Sequence, residues 1–297
     1  MNGKNLNGVL NIYKEPGYTS HDVVAILRKI LKTKKIGHAG TLDPNVSGVL
    51  PICVGKATKI SSHLMNMGKT YYGEITFGLK TDTLDIWGNI LETNDFIPEK
   101  DTIKNEILSF SNKEIEQIPP MYSAIKVNGK KLYELAREGK EIKRKARKVK
   151  IYNTEFIDFY DNKVLFNVSC SKGTYIRTLI EDMGSNVGAL STMSYLIRTE
   201  AGGMNIKDSI TIDQLKLLIE NDIDFLCPID KALYNYPVID VDAKYFELIK
   251  NGAKIKTELT EDEDTIYRVY CNEVFIGLGK ILSNEDFNYI KMLNVFV

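Results

Sequence analysis

GHAGTLDPNVSGVLPICVGKATK, residues 37–59, holds four glycines and two prolines within its first nineteen positions. Gly37, Gly40, Gly48 and Gly55, with Pro44 and Pro51, predict a tightly shaped loop here rather than a regular element. Asp43 is the only acid of the stretch, and five lysines between Lys32 and Lys59 flank it. An aspartate before a proline is a common turn former that satisfies nearby backbone donors. It is equally a carboxylate held in a shaped, basic surround, and the loop alone leaves both readings open.

Outward from this loop the pattern mixes strands and helices. VLNIY at 9–13 reads as a strand, followed by a turn at Glu15-Pro16-Gly17. Thr19 and Ser20 offer N-cap oxygens, Asp22 falls in a first helical turn, and Val23, Ile26, Leu27, Ile30 and Leu31 share one helical face. Residues 71–79 and 164–170 read as strands, 101–110 and 174–187 as helices. Mixed elements without a regular βαβ repeat predict an α+β class. Near Pro237 the character changes to a short strand, a helix ending at Asn251-Gly252, an acidic turn and three short strands. A boundary there divides the chain into 1–236 and 237–297, with the acidic run Glu261-Asp262-Glu263-Asp264 read as a solvated hairpin loop.

With 297 residues, 43% hydrophobic and 26% charged, the chain is long enough for one large or two modest cores, which excludes disorder as the dominant state. No stretch approaches the roughly 20 apolar residues of a membrane span, and the first residues lack a signal layout. Cys53, Cys170, Cys227 and Cys271 lie far apart, without the spacing of a zinc site or redox pair. A cytoplasmic protein with reduced thiols, no metal and no membrane contact is expected. The formal charge of zero hides an asymmetry. Residues 1–60 carry nine Lys or Arg against three acids, residues 126–150 eleven against three, and residues 208–297 nine against seventeen. Such a basic front and acidic rear suit a surface that meets phosphate on one side. Two solvated basic helices are the plainer alternative.

The loop does not stand alone. Asn7-Gly8-Val9-Leu10 and Lys14-Glu15-Pro16-Gly17 precede it, and Lys69-Thr70-Tyr71 and Thr81-Asp82-Thr83-Leu84-Asp85 follow. Ile118 to Ala124 (IPPMYSA), Gly129 to Glu134 (GKKLYE) and Ser171 to Arg177 (SKGTYIR) continue the series. In this order the motifs closely resemble the bacterial tRNA pseudouridine synthase B family, which isomerises uridine-55 in the T-loop of tRNA. The resemblance implies a catalytic domain with a mixed, largely antiparallel central sheet and a small β-rich, PUA-like C-terminal domain. It also implies a basic thumb-like insertion at about 121–152.

By the same resemblance Asp43 matches the catalytic aspartate, and no cofactor is needed. A carboxylate kept ionised in a closed pocket requires a cation, and Arg177 matches that partner. Tyr71 matches the tyrosine stacked on the target base, with Tyr175 and Leu196 lining the same pocket. His38 matches an RNA contact where flipped nucleotides leave a gap, and Asp85 a carboxylate of the pocket's polar network. Lys143, Arg144, Lys145, Arg147 and Lys148 would hold the RNA backbone. The implied partner is the T-arm of tRNA, bound by a monomer. Val46, Trp87 and Ile197 depart from the usual family residues without removing a catalytic group. Two other classes stay open on the residues: an RNA-binding or RNA-folding module, and a glycosidase-like hydrolase. The last needs a second carboxylate near Asp43, and none lies in its motif.

Overall fold

The computed structural model describes residues 6–297 apart from Ala124, Asn128, Glu141 and Glu261, and only the backbone of Lys126, Lys131 and Glu263. Ala124 of the IPPMYSA motif, Glu261 of the acidic run and the first five residues therefore lie outside the described part.

A single large sheet carries the first part of the chain. Its strands are β1 (Gly8–Lys14), β2 (Ile36–His38), β3 (Ser47–Val54), β4 (Lys69–Phe77), β5 (Lys113–Gln117), β6 (Arg147–Tyr160), β7 (Lys163–Cys170), β8 (Ser191–Ala201) and β9 (Met204–Asn205). The order across the sheet is β1-β3-β8-β4-β7-β6-β5, with β2 added to β3 and β9 to β8. All pairs are antiparallel except β3 with β8, which run parallel where Ser47 and Gly48 meet Ile197 and Arg198. Gly48 is required at that crossing: its φ is +111°, and a Cβ there would lie 2.2 Å from the Arg198 carbonyl oxygen. The sheet is thus mixed and largely antiparallel.

Helices cover one face, among them Ile212–Glu220, whose Leu215 is wholly buried in the core there. α1 (Ser20–Ile30) starts at a capping box, with Thr19 and Asp22 bonding each other's backbone N–H. α2 (Lys100–Ser109) and α3 (Ile176–Asn186) follow. Val23, Val24 and Leu27 of α1, Ile103 and Ile107 of α2, and Leu179, Ile180 and Met183 of α3 pack on Leu10, Ile12, Ile75, Phe77 and Phe166 of the sheet. The strand period of two puts Tyr71, Ile75 and Phe77 of β4 in this core and Tyr72 and Glu74 on the opposite face. There Glu74 accepts hydrogen bonds from Tyr160, Lys163 and Ser194, so its burial leaves no oxygen unpaired.

The strands Val238–Val241, Ile255–Thr257, Asp262–Cys271, Val274–Ser283 and Asn288–Val295 form a sheet of their own. Its end is fastened to the first part: Lys56 and Lys59 donate to the carbonyls of Phe296 and Val295 at 2.6 and 3.0 Å. Leu278 and Phe296 share a core with Val9, Ala57 and Ile60. Among the described residues no helix is long and apolar enough to cross a membrane.

Three readings are corrected. Residues 37–59 do not form one loop: His38 ends β2 and Ser47–Val54 form the buried strand β3, which leaves the loop at 39–46. Asp262 to Asp264 open a strand rather than form a hairpin loop; the Asp262 carboxylate accepts from the backbone of Asp264 and Thr265, and the register shifts between Asp262 and Tyr267. The basic stretch is not the solvated helix of the plainer alternative. It comprises the ribbon Lys126–Val127 with Lys130–Lys131, the helix Leu132–Arg137, and, from Arg147, the strand β6. Pairing of Arg147 to Ile151 with Gln117 to Lys113 draws these residues into the sheet, which a count of charges could not reveal.

Candidate active site

The loop between β2 and β3 forms one wall of a cleft of about 620 Å³, whose lining includes Asp43, Tyr71, Tyr175, Arg177 and Leu196. β4 supplies Tyr71, β8 supplies Leu196, and the segment entering α3 supplies Tyr175 and Arg177. Tyr71 and Leu196, 125 positions apart in the sequence, are neighbours because β4 and β8 pair, with Leu196 opposite Gly73.

Backbone carbonyls of the loop are fastened from three directions. Lys14, wholly buried at the end of β1, donates to the carbonyls of Glu15, Tyr18 and Pro44 at 3.0, 2.8 and 3.0 Å. Arg198, also wholly buried, donates to Val49, Thr41 and Gly40 at 2.8, 3.2 and 3.2 Å. The Ser20 hydroxyl accepts from the Leu42 N–H at 2.9 Å and donates to the Leu42 carbonyl at 3.3 Å. Burial depresses the Lys14 ammonium to about 8, with Asp43 acting to raise it. Neither Lys14 nor Arg198 was assigned a role from the sequence. The available signal was strand periodicity: Leu10, Ile12 and Lys14 share the inward face of β1, as Leu196 and Arg198 share a face of β8.

Arg177 is the centre of the polar network. It is 6% exposed, and its Nη2 lies 2.9 Å from Asp43 Oδ2 while Nη1 lies 3.5 Å from Asp85 Oδ2. Two further N–H donors of the same nitrogens reach the carbonyls of Thr83 and Tyr122, both at 2.9 Å. The guanidinium is therefore fixed in a plane by four acceptors, which defines where the Asp43 carboxylate stands. Asp43 itself is more open than the closed pocket expected of it: its side chain is 45% exposed.

Asp85 and His38 do not line the cleft. Asp85 stands behind Arg177, buried, and also caps its own turn by accepting from the Thr83 hydroxyl and the Trp87 N–H at 2.7 and 3.2 Å. Burial raises its pKa, with the Thr83 hydrogen bond and Arg177 opposing. A second carboxylate is thus present near Asp43, but the arginine separates the two, an arrangement unsuited to the paired acid and base of a hydrolase. His38 packs edge-on against His21 at 5.2 Å, and its Nδ1 is buried without a hydrogen-bond partner among the described residues. Burial, with His21 and Arg198, depresses it to about 4, so it is neutral at pH 7.

The five basic residues divide. Arg147 and Lys148 line the cleft; Lys148 is paired with Glu114 at 3.0 Å, both side chains being exposed. Lys143 and Lys145 are exposed. Arg144 turns inward and donates to the Pro119 carbonyl at 3.1 Å, bracing the chain rather than offering its guanidinium to solvent. Burial raises the phenols of Tyr71 and Tyr175, so both rings enter the cleft uncharged.

Comparison with known proteins places these features. Residues 28–176 match the model of the TruB family pseudouridylate synthase N-terminal domain. The chain is 48% identical to the tRNA pseudouridine synthase B of Alkaliphilus oremlandii, over 98% of each chain. It is likewise 48% identical to that of Clostridium kluyveri, over 98% of this chain and 100% of the other. Among solved structures, a Cbf5-Nop10-Gar1 complex contains a chain of the same fold, with a TM-score of 0.75 and 28% identity over 98% of this chain and 85% of that one. An H/ACA ribonucleoprotein bound to a substrate RNA containing 2'-deoxyuridine gives a TM-score of 0.74 at 25% identity, with the same two coverages. The α+β architecture, the ordered motifs and near-full-length identity to these relatives agree: the chain belongs to the TruB family and is a pseudouridine synthase.

Proposed function

We propose that the protein converts uridine-55 in the T-loop of tRNA to pseudouridine, acting as a cytoplasmic monomer. The observation that carries this reading is Asp43 held by Arg177 at 2.9 Å in a cleft whose other walls include Tyr71, Tyr175 and Leu196. A target base inside a folded RNA must leave its stack, and aromatic and aliphatic faces then replace the lost stacking. Tyr71 and Leu196 supply such faces from adjoining strands, and Tyr175 closes the same space from the entrance to α3. Asp43, half exposed before binding, becomes enclosed by the base itself, while Arg177 keeps its carboxylate aimed.

The isomerisation balances without any redox partner. The bond from N1 to C1′ breaks, the uracil turns within the cleft, and a bond from C5 to C1′ forms; the proton lost from C5 is offset by one gained at N1. Asp43 supplies the one carboxylate this sequence requires. The carbonyl clamps from Lys14, Ser20 and Arg198 hold its loop still while the base turns, which is the preorganisation such a step needs. Arg147, Lys143, Lys145 and Lys148, all exposed, would meet the RNA backbone. The names of the relatives support tRNA as the substrate, and the T-arm assignment follows the motif resemblance. Residues 1–236 are proposed as the catalytic domain and 237–297 as the PUA-like domain.

The test is incubation of the purified protein with an unmodified tRNA transcript, followed by mapping of pseudouridine. A single modified position at 55 in wild type, and none with Asp43→Asn, is the expected result. Modification at another uridine would overturn the positional assignment, and RNA binding without any product would favour a folding module.

A further inference from the structure

Lys69 has no part in the chemistry above, yet it lies inside the cleft. It opens β4 two residues before Tyr71, and its side chain runs beneath the catalytic loop: a Cβ on Gly40 would be 3.6 Å from its Cε. Its ammonium donates to the carbonyls of Met65 and Met67 at 3.0 and 3.2 Å. An ammonium has three N–H donors, so one is left without a protein acceptor among the described residues. Beside it stands Lys172, exposed on the loop after β7, whose Nζ bonds Asn66 Oδ1 at 2.8 Å.

The charges in the cleft are unequal. Lys69, Arg147, Lys148, Lys172, Arg177 and Arg198 line it, against the single carboxylate of Asp43. Arg177 is matched by Asp43 and Asp85, and Lys148 by Glu114. Arg198 is spent on carbonyls. Lys69 has no carboxylate within ion-pair distance among the described residues, and the charged groups facing it are Arg198 of β8 and Lys172, with Cys170 at the end of β7. Cys170 is neutral because burial pushes its thiol up to about 11. A half-buried cation facing other cations is unfavourable until an anion arrives.

We infer that Lys69, with Lys172 at its side, forms a phosphate subsite that takes one backbone phosphate next to the target nucleotide. This rests on the proposed reading of the cleft as an RNA site. The subsite sits on the side of the cleft formed by the helix Ser61–Asn66 and the loop after β7, next to the end of the basic stretch, where the Ser171 N–H donates to the Lys150 carbonyl at 2.8 Å. One phosphate held there, beside those held by Arg147 and its neighbours, would extend the grip on the strand at the extruded base. The competing role for Lys69 is to cap the last carbonyls of that short helix.

The experiment measures tRNA binding across a salt series for wild type, Lys69→Met, Lys69→Arg and Lys172→Gln, with thermal unfolding alongside. A phosphate contact predicts about tenfold weaker binding for Lys69→Met and a log-log salt slope reduced by about 0.7 to 0.9. Lys69→Arg should keep the slope. Lys172→Gln, altered at an exposed position, should reduce it by a similar amount, which preserves the test if Lys69→Met fails to fold. Burial depresses Lys69 to about 8, so wild-type binding should weaken as pH rises through that value, and Lys69→Arg should not follow. Unchanged slopes in Lys69→Met and Lys172→Gln would overturn the subsite; a lower melting temperature with an unchanged slope would leave Lys69 a helix cap. Absence of product from wild type with normal slopes would instead defeat the proposed reaction and leave the subsite standing.

Discussion

The Asp43 loop and the basic stretch border the same cleft and are held in opposite ways. Around Asp43, carbonyls of Gly40, Thr41, Leu42 and Pro44 are fastened by Arg198, Ser20 and Lys14, three side chains from three different elements. In the basic stretch Lys143 and Lys145 extend into solvent while Arg144 is anchored inward, to Pro119, and Arg147 and Lys148 keep exposed side chains on β6. The difference suits the two tasks proposed for these regions. Bond breaking tolerates displacements of well under an ångström, whereas long flexible cations can follow a phosphate backbone through several positions. Substitutions should therefore separate turnover from affinity according to which region they touch.

The sharpest break is expected at Asp43. Asp43→Asn is isosteric and leaves the backbone clamps in place, so turnover should fall by more than about a thousandfold while tRNA binding stays within a few fold. A single-turnover assay beside a binding isotherm reads both. Arg177→Met comes next. It leaves the Asp43 and Asp85 carboxylates and the carbonyls of Thr83 and Tyr122 without their common donor. A loss of about a hundredfold in turnover is expected. Asp85, already raised by burial, should titrate higher still without the cation, which carboxyl NMR would detect.

Lys14→Met probes the clamp without touching the cleft. It leaves three carbonyls without their donor, and a cost of about 3 kcal/mol is expected, visible in urea unfolding. The pH dependence has a definite sign. Because burial lowers Lys14 from 10.5 to about 8, the unfolded chain binds more protons between those values, and this lysine's contribution to stability rises with pH there. The gap between wild type and Lys14→Met should widen across that window. A constant gap would show that Lys14 titrates alike in both states.

How much could be read from the sequence follows the same division. Asp43, Tyr71, Tyr175 and Arg177 lie in contiguous motifs that resemble those of the TruB family, so the resemblance singled them out, and the structure gathers them in the cleft. Lys14 and Arg198 were missed because their partners are backbone carbonyls 30 and 157 residues away, which leave no side-chain signature. His38 and Asp85 sit inside dense motifs, yet one packs on His21 and the other stands behind Arg177; motif membership does not say which way a side chain points. Charge was legible as composition and misleading as conformation. The acidic run entered a strand and the basic stretch ended in one, since strand pairing is decided by distant partners.

The mildest effect, and the one that tests the adjustable side of the comparison, should come from Lys143, Lys145 and Arg147 replaced together by Gln. Two of these are solvent-exposed lysines, and Arg147 reaches the cleft. Arg144 and Lys148 are left in place because one braces Pro119 and the other already pairs with Glu114. Each phosphate contact removed should lower the log-log salt slope by about 0.7 to 0.9, and fold stability should hardly change at such exposed positions. With tRNA saturating, turnover and the modified position should match wild type, because phosphate contacts orient the strand without choosing the base. Parallel slopes for wild type and triple variant would remove these residues from the RNA interface. A normal slope change joined to modification at a second uridine would mean that the basic stretch also sets register, and the separation between a rigid chemical wall and an adjustable docking wall would fail.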